Sequence, residues 1–450
     1  MRPAGGRPVV GIPGVDFSVE DVQGTFPEEL EIRPLDRPVD ATARIPGSKS
    51  VTNRALIVAA LADGVSVIRN PLFSDDSYWL MRALVQLGFS VHADREAATV
   101  TVEGRNGMIP ARDVEVFVGN AGTVARFLPP ALALGPGPYH VDGVPRMRER
   151  PVKDLVEALR QLGAKIDYAG DEGAFPITIR GGGIAGGTTQ VEGGKSSQFL
   201  SGILIAAPYA RHDVTLKVAG DLVSRPYIGI TLDVMEAFGV EVQTGSGYGE
   251  FSISPGFYRR REYTVEPDAS AASYFMAAAA VTTGRVKIPG LGAGSAQGDL
   301  EFAGVLRRMG CAVDIGEDYV EVRGPRRLRG VEVDMNEFSD TMMTLAAIAS
   351  FAEGYTLITN VEHTRHQETD RVSAVAAELR RLGVEVEERS DSLCITPGAV
   401  RPALIETYGD HRMAMAFAVT GLAAPGIRIK DPGCVTKTFP DYFRQLESLR

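Results

Sequence analysis

The chain is predicted to be an α/β protein built from six similar units, three in each of two halves. Three observations predict this. An amphipathic helix that stops at a glycine and runs into an alternating strand recurs along the chain. The glycines, Gly88, Gly163, Gly239, Gly310 and Gly383, are spaced 75, 76, 71 and 73 residues apart. At 450 residues the chain also exceeds what one hydrophobic core serves.

The helix ends are Leu84-Val85-Gln86-Leu87, Leu159-Arg160-Gln161-Leu162, Met235-Glu236-Ala237-Phe238, Leu306-Arg307-Arg308-Met309 and Leu379-Arg380-Arg381-Leu382. Each carries apolar residues at helical spacing and precedes a glycine suited to the left-handed position just past a helix end. The strands that follow alternate, as in Val384-Glu385-Val386-Glu387. Helix, glycine and strand occur together in any α/β protein, but five copies at near-constant spacing argue for a repeat. Tyr442-Phe443-Arg444-Gln445-Leu446 falls where a sixth helix is needed. Three units per half put the break near residues 260–268, and a ligand site between the halves is the default expectation. Residues 1–29, with Pro, Gly and several acids, are expected to be a loosely ordered extension; they have no apolar stretch of the signal-peptide kind.

Composition narrows the function. With 47 Lys and Arg against 57 Asp and Glu, the net charge of -10 gives no global basic footprint for nucleic acid. No apolar run is long enough to span a membrane. The three cysteines, Cys311, Cys394 and Cys434, are far apart and odd in number, which points to a reducing, cytoplasmic setting.

Basic residues nevertheless gather at predicted helix starts. Lys49 and Arg54 follow Pro46-Gly47-Ser48, where Ser48 or Ser50 can cap a helix. Cations there oppose the helix dipole unless an anion joins them; a solvated Lys and Arg is the bland alternative. Gly119-Asn120-Ala121-Gly122-Thr123 and Gly193-Gly194-Lys195-Ser196-Ser197-Gln198 open two more helices with backbone and hydroxyl donors. Arg146, Arg148 and Arg150, the charged run Thr364 to Arg371, Asp410-His411-Arg412 and Lys437 extend the set. A phosphate-binding P-loop is excluded, because Ser48 separates Gly47 from Lys49. His363 and His366 lack a third nearby His or Cys, so no metal is expected.

Read in order, these segments resemble the 5-enolpyruvylshikimate-3-phosphate synthase family of enolpyruvyl transferases. The resemblance rests on the run 46–54, on 119–123, on Arg148-Glu149-Arg150-Pro151 and on Ser196-Ser197-Gln198-Phe199. It continues through Arg225-Pro226-Tyr227, Glu368-Thr369-Asp370-Arg371, the run 408–415 and the run 437–443. It covers about residues 30–450 and implies a two-lobed inside-out α/β barrel with a substrate cleft between lobes. One lobe would be 46–265, the other 30–45 plus 266–450. The implied reaction transfers the enolpyruvyl group of phosphoenolpyruvate to the 5-hydroxyl of shikimate 3-phosphate by addition and elimination, with no cofactor and with a monomer expected.

By the same resemblance, Lys49, Ser50, Arg54, Ser196, Ser197, Gln198, Ser224, Asp340, His363 and Gln367 would bind shikimate 3-phosphate. Lys49, Gly122, Arg150, Gln198, Arg371, Arg412 and Lys437 would bind phosphoenolpyruvate. Asp340 would be the base, Glu368 the proton donor, and Lys49 a further catalytic cation. Three positions depart from the family pattern: Gln367 replaces a common Lys, His363 a common Asn and Phe127 a common Pro. The first suggests that His363 or His366 supplies the missing cation, so that affinity for the phosphorylated substrate would fall as pH rises through about 6–7. A sibling transferase with another acceptor would rely on a cysteine in its first lobe, and no cysteine precedes Cys311. A non-catalytic anion-binding protein would be expected to lose Asp340 or Glu368.

Overall fold

The computed structural model describes residues 25–194 and 196–450. Most of the segment 1–29 lies outside the described residues. Its last few residues are tied down rather than loose. Phe26 packs beside Gly433, Asp431 N–H donates to Glu28 O at 2.8 Å, and strand Glu29–Ile32 pairs antiparallel with Ile427–Lys430. Backbone pairing to Ile427–Lys430 outweighs the local polarity from which loose order was expected.

Two hydrophobic cores form. One draws on residues from Val51 to Val265; the other on Ile32 to Ile45 and Ala269 to Leu449. The chain passes between them twice, side by side: Ser48 N–H donates to Glu266 O at 2.8 Å and Asp268 N–H to Pro46 O at 2.9 Å.

One sheet pattern recurs. Glu262–Thr264 runs parallel to Asp63–Arg69, which pairs antiparallel with Thr99–Arg105, itself antiparallel to Ser90–Asp94. The same order joins Val114–Phe117, Tyr139–Asp142, Ile177–Ile179 and Ile166–Tyr168. It recurs in Gly187–Glu192, Val214–Ala219, Glu250–Ile253 and Gln243–Thr244. In the second core it joins Asp40–Thr42, Arg285–Pro289, Tyr319–Arg323 and Ala312–Ile315, and then Glu332–Asp334, Thr356–Thr359, Leu393–Thr396 and Glu385–Glu388. Ala403–Ile405, Ile427–Lys430 and Glu29–Ile32 repeat its first three positions. The glycines that mark the units all take positive φ, from 83° at Gly383 to 103° at Gly310. Each closes its helix the same way: Gly88 N–H returns to Val85 O and Phe89 N–H to Leu84 O, both at 3.0 Å.

Helices of two kinds alternate. Asp75–Gln86, Lys153–Gln161 and Arg371–Arg381 bury one face. Lys49–Leu61, Gly122–Ala133, Ser197–Ala206, Ala269–Val281, Met342–Ala349 and His411–Ala423 are buried on nearly every side, as their continuous Ala, Leu, Ile and Val runs require. Several of these buried helices begin at the boundary between the cores, which is what positions the site. No helix among the described residues is long and apolar enough to cross a membrane.

Candidate active site

Five helix N-termini meet at one cleft. Ser48 caps Lys49–Leu61, and Asp268 Oδ2 accepts from Lys49 N–H at 3.0 Å, tying that helix start to the second crossing of the chain. Gly122 opens the next buried helix, and Ser196 caps Ser197–Ala206 through Gln198 N–H at 3.3 Å. Asp370 and Asp410 cap the helices that begin at Arg371 and His411. Their free N–H groups and positive dipole ends converge, which makes an anion site of the cleft.

The cleft is lined by Lys49, Ser50, Gly122, Arg150, Ser196, Ser197, Gln198, Ser224, Asp340, His363, Gln367, Glu368, Arg371 and Arg412, among others. It therefore gathers residues scattered over most of the chain. Side chains bridge it: Lys437 Nζ donates to Asn120 O at 2.9 Å, Thr436 Oγ1 to Asp75 Oδ2 at 3.1 Å, and Arg146 Nη2 to Gln367 O at 3.0 Å.

Its charges are arranged in two ways. Arg371 is held by Asp410 at 2.8 Å, Asp340 at 3.0 Å and Glu368 at 2.9 Å. Arg412 reaches Asp340 at 2.5 Å, and Lys437 reaches Glu368 at 2.9 Å. Burial pushes the Asp340 carboxyl up, but Arg412, Arg371 and Lys49 outweigh it and hold the group well below the usual carboxylate range. Burial likewise raises Glu368, and Lys437, Arg371 and Arg150 overcome it, so Glu368 too is ionised. Arg150 is different. Its Nη1 is buried without a hydrogen-bond partner, and Lys49 makes no ion pair among the described residues. Two cations thus face the cleft with binding capacity in hand.

Two expected binders already have protein partners. Arg54 lies beneath the cleft: Nε donates to Thr231 Oγ1 at 2.7 Å, Nη1 to Ser50 O at 2.9 Å and Nη2 to Ser201 Oγ at 3.1 Å and Tyr227 O at 3.0 Å. Its guanidinium stacks 4.8 Å from the buried Phe127 ring, the residue that departs from the family pattern. Lys437 reaches both Glu368 and Asn120 O, each at 2.9 Å.

Of the two histidines expected to supply a cation at pH 6–7, His363 is unsuited to that role in the unliganded cleft. Burial lowers it to about 4, only partly opposed by Asp340, and its Nε2 lies 2.8 Å from Ser339 Oγ, so it is neutral at that pH. Gln367, in place of a Lys, contacts Arg371 through its side-chain oxygen and so turns its acceptor, not a donor, on a cation.

The same burial has a stability consequence. His411, fully buried, is also held well below its ordinary 6.5, first by burial and then by Arg412. Below that pH the unfolded chain takes up protons that the native His363 and His411 refuse. Their contribution to stability is present above about 6.5 and is lost as pH falls toward 4. The urea midpoint is expected to drop between pH 7 and 5, and the double variant His363→Asn, His411→Asn to lose part of that slope; equal slopes would contradict this.

Several cleft residues escaped sequence reasoning. Asp76, buried at the first turn of Asp75–Gln86, lines the cleft, and burial raises its carboxyl despite Lys437 and Lys49. Tyr227 lines it too, with Asp299 behind it. Arg126 lines the cleft with Nη2 bound to Pro151 O at 2.8 Å. In sequence Asp75 and Asp76 look like ordinary first-turn acids, and nothing local marks Asp299.

Comparison with known proteins shows the family. The family model described as EPSP synthase (3-phosphoshikimate 1-carboxyvinyltransferase) matches residues 35–446. A 3-phosphoshikimate 1-carboxyvinyltransferase of Trichormus variabilis is 53% identical over 417 residues, 92% of this chain and 98% of that one. Its counterpart in Shewanella amazonensis is 46% identical over 427 residues, 94% and 99% of the two chains. An EPSP synthase structure from Acinetobacter baumannii superposes with a TM-score of 0.79 at 25% identity, covering 94% of this chain and 98% of that one. The enolpyruvyl transferase NikO from Streptomyces tendae shares the fold, with a TM-score of 0.75 at 20% identity over 94% and 97% of the chains. A family match over nearly the whole chain, and a cleft assembled from the segments that carry the resemblance, place the chain in the EPSP synthase (3-phosphoshikimate 1-carboxyvinyltransferase) family.

Proposed function

We propose a division of labour in the cleft for transfer of the enolpyruvyl (carboxyvinyl) group of phosphoenolpyruvate to the 5-hydroxyl of shikimate 3-phosphate, with release of phosphate, in aromatic amino-acid biosynthesis. The observation that carries it is the contrast between Arg150 and Lys49, which face the cleft without ion-pair partners among the described residues, and the ionised pair Asp340 and Glu368 beside them. Two substrates that together bring two phosphates and two carboxylates need such cations.

Ser50, Ser196, Ser197, Gln198 and Ser224 supply hydroxyl and amide donors suited to shikimate 3-phosphate, and His363 and Gln367 line the same cleft. Lys49, Arg150, Arg371 and Arg412, with Gln198 and the N-terminus at Gly122, suit phosphoenolpyruvate; Lys437 acts through its ion pair with Glu368. When a bound anion shares these cations, Asp340 and Glu368 lose part of what holds them ionised, and the proton affinity of both rises. Asp340 then accepts the 5-hydroxyl proton as that oxygen attacks the enol carbon. Protonated Glu368 delivers a proton to the methylene carbon, which gives a tetrahedral ketal. The carbon–oxygen bond to phosphate breaks, the proton held by Asp340 leaves with the phosphate, Glu368 takes a proton back from the methyl group, and the double bond re-forms. Lys49, Arg150 and Arg412 stabilise the departing phosphate.

We read the six units as a two-lobed inside-out barrel, residues 46–265 against 30–45 plus 266–450, acting as a cytoplasmic monomer. The two cores and the recurring sheet order support the two-lobed part of this reading.

Addition and elimination predict an isotope result. Turnover in deuterium oxide should place deuterium in the vinyl methylene of the product. A product free of deuterium there would rule out protonation of the methylene.

A second prediction concerns Gly122. A Cβ built there would lie 2.7 Å from Arg150 Nη2 and 3.0 Å from Nη1. Gly122→Ala must therefore displace that guanidinium, and KM for phosphoenolpyruvate is expected to rise about 10-fold or more, a loss of ~1.4 kcal/mol, while the KM for shikimate 3-phosphate changes far less. Steady-state kinetics checks this, and an unchanged phosphoenolpyruvate KM would remove Arg150 from that subsite.

A further inference from the structure

Asp299 belongs to none of the motifs above. It lies in the turn Gly298–Glu301, is 5% exposed, and stands behind the cleft wall. Its Oδ2 is 2.5 Å from Ser270 Oγ and 3.0 Å from the Tyr227 hydroxyl, while its Oδ1 is buried without a hydrogen-bond partner. The same Tyr227 hydroxyl is 2.9 Å from Asp340 Oδ2.

A phenol has one proton to donate, and an ionised carboxylate can only accept. Both contacts of Tyr227 are hydrogen bonds only if one of the two carboxyls carries a proton. Asp340 has Arg371 at 3.0 Å and Arg412 at 2.5 Å, so it is the anion. Asp299 makes no ion pair among the described residues, and its nearest polar neighbours are hydroxyls. We propose that Asp299 is a positioning residue which holds a proton and, through Tyr227, aims one hydrogen bond at the base Asp340. The order is Asp299 O–H to Tyr227 oxygen, then Tyr227 O–H to Asp340 Oδ2. Tyr227 and Arg412 thereby fix one oxygen of Asp340, and Arg371 fixes the other.

The surroundings agree. Burial raises the Asp299 carboxyl to about 7, Asp340 adds to the rise, Arg412 and the Ser270 hydroxyl oppose it, and Asp268 adds a further push upward. The other titratable groups on the packed elements are Tyr227, itself raised well above its ordinary value by burial and then by Asp299 and Asp340, and Tyr274, raised by burial. Glu301 and Glu337 on the two facing turns, and Arg307 and Arg308 on the helix Phe302–Arg308, are exposed. When Asp299 ionises, two carboxylates compete for one hydroxyl proton, and a second negative charge stands beside an anion-binding cleft. Alignment of Asp340 and affinity for an anionic substrate should both decline as pH rises through that titration.

The inference rests on Asp340 facing shikimate 3-phosphate, and its test has one arm that needs no substrate. Infrared difference spectra of the free enzyme, wild type against Asp299→Asn, should show at pH 6 the carbonyl stretch of a protonated carboxyl that fades toward pH 9. A spectrum without that band overturns the proposal whatever the enzyme catalyses. In the second arm the dissociation constant for shikimate 3-phosphate alone is measured from pH 6 to 9, corrected for the substrate's own titration. Wild type should weaken by about 10-fold. Asp299→Asn, neutral at every pH and still a donor to Tyr227, should stay flat and lose less than 10-fold in turnover at the low end. Parallel profiles would overturn the link to Asp340. Should Asp299→Asn fail to fold, Tyr227→Phe serves: it removes the shared oxygen, so the carboxyl band must shift, and an unshifted band overturns the proposal.

Discussion

Glu368→Gln is expected to lower turnover by about 10²-fold or more while the fold is retained, the scale of general acid–base catalysis. Glu368 is the carboxylate set between Lys437 and Arg371, each at 2.9 Å, with Arg150 acting on it through space. In the unliganded cleft these cations keep it ionised, and an ionised group cannot donate. A bound anion that shares Arg150 and Arg371 relaxes that hold and lets Glu368 take up a proton. The amide of Gln keeps the size and the contact to Lys437 but carries no transferable proton. Substrate affinities should change far less than turnover, because the loss falls on the proton-transfer steps. The measurement is steady-state kinetics with both substrates varied, supported by thermal unfolding of the variant. Turnover near that of wild type would remove Glu368 from the mechanism. Asp340→Asn should behave alike, its loss falling on the hydroxyl proton.

Arg371→Met should be the most destabilising single change in the cleft, by about 3–5 kcal/mol. Arg371 is almost wholly buried and touches three acids: Asp410, Asp340 and Glu368. Asp410 is fully buried and also caps the helix His411–Ala423 through Arg412 N–H at 2.9 Å. Without the guanidinium, Asp410 loses its cation, and Asp340 and Glu368 keep only Arg412 and Lys437. The loss should be recovered in part by adding Asp410→Asn, since an amide still accepts from the helix N-terminus but needs no cation. Urea unfolding of the single and double variants checks this. A single variant within about 1 kcal/mol of wild type, or a strictly additive pair, would contradict the burial account.

Much of the architecture could be read from the residues because it is local. Five glycines needed a left-handed conformation at a helix end, and each has it. Ser48 announces a helix start by capping chemistry that depends on a residue three positions away, and Ser196, Asp370 and Asp410 cap by the same local contacts. Counting units put the break near residues 260–268, and the chain passes between the cores at Glu266 to Asp268. What stayed hidden depends on partners far along the chain. Arg54 looked like an anion binder because it follows Lys49 and Ser50, yet one turn of helix carries its guanidinium beneath the cleft, onto Thr231, Ser201 and Phe127. His363 looked like a substitute cation, and only its burial beside Ser339 shows that it is neutral. Asp299 and Tyr227 are 72 residues apart, so no pattern in the sequence could join them.

The central claim is that this cleft joins two anionic substrates through its own side chains. It is tested most directly by incubating the purified protein with shikimate 3-phosphate and phosphoenolpyruvate, with no metal added, and following inorganic phosphate. The account predicts one phosphate released for each enolpyruvyl group transferred, and no release when either substrate is omitted or when Glu368→Gln is assayed on the same timescale. Phosphate released at an equal rate without shikimate 3-phosphate, or none released with both present, would contradict it.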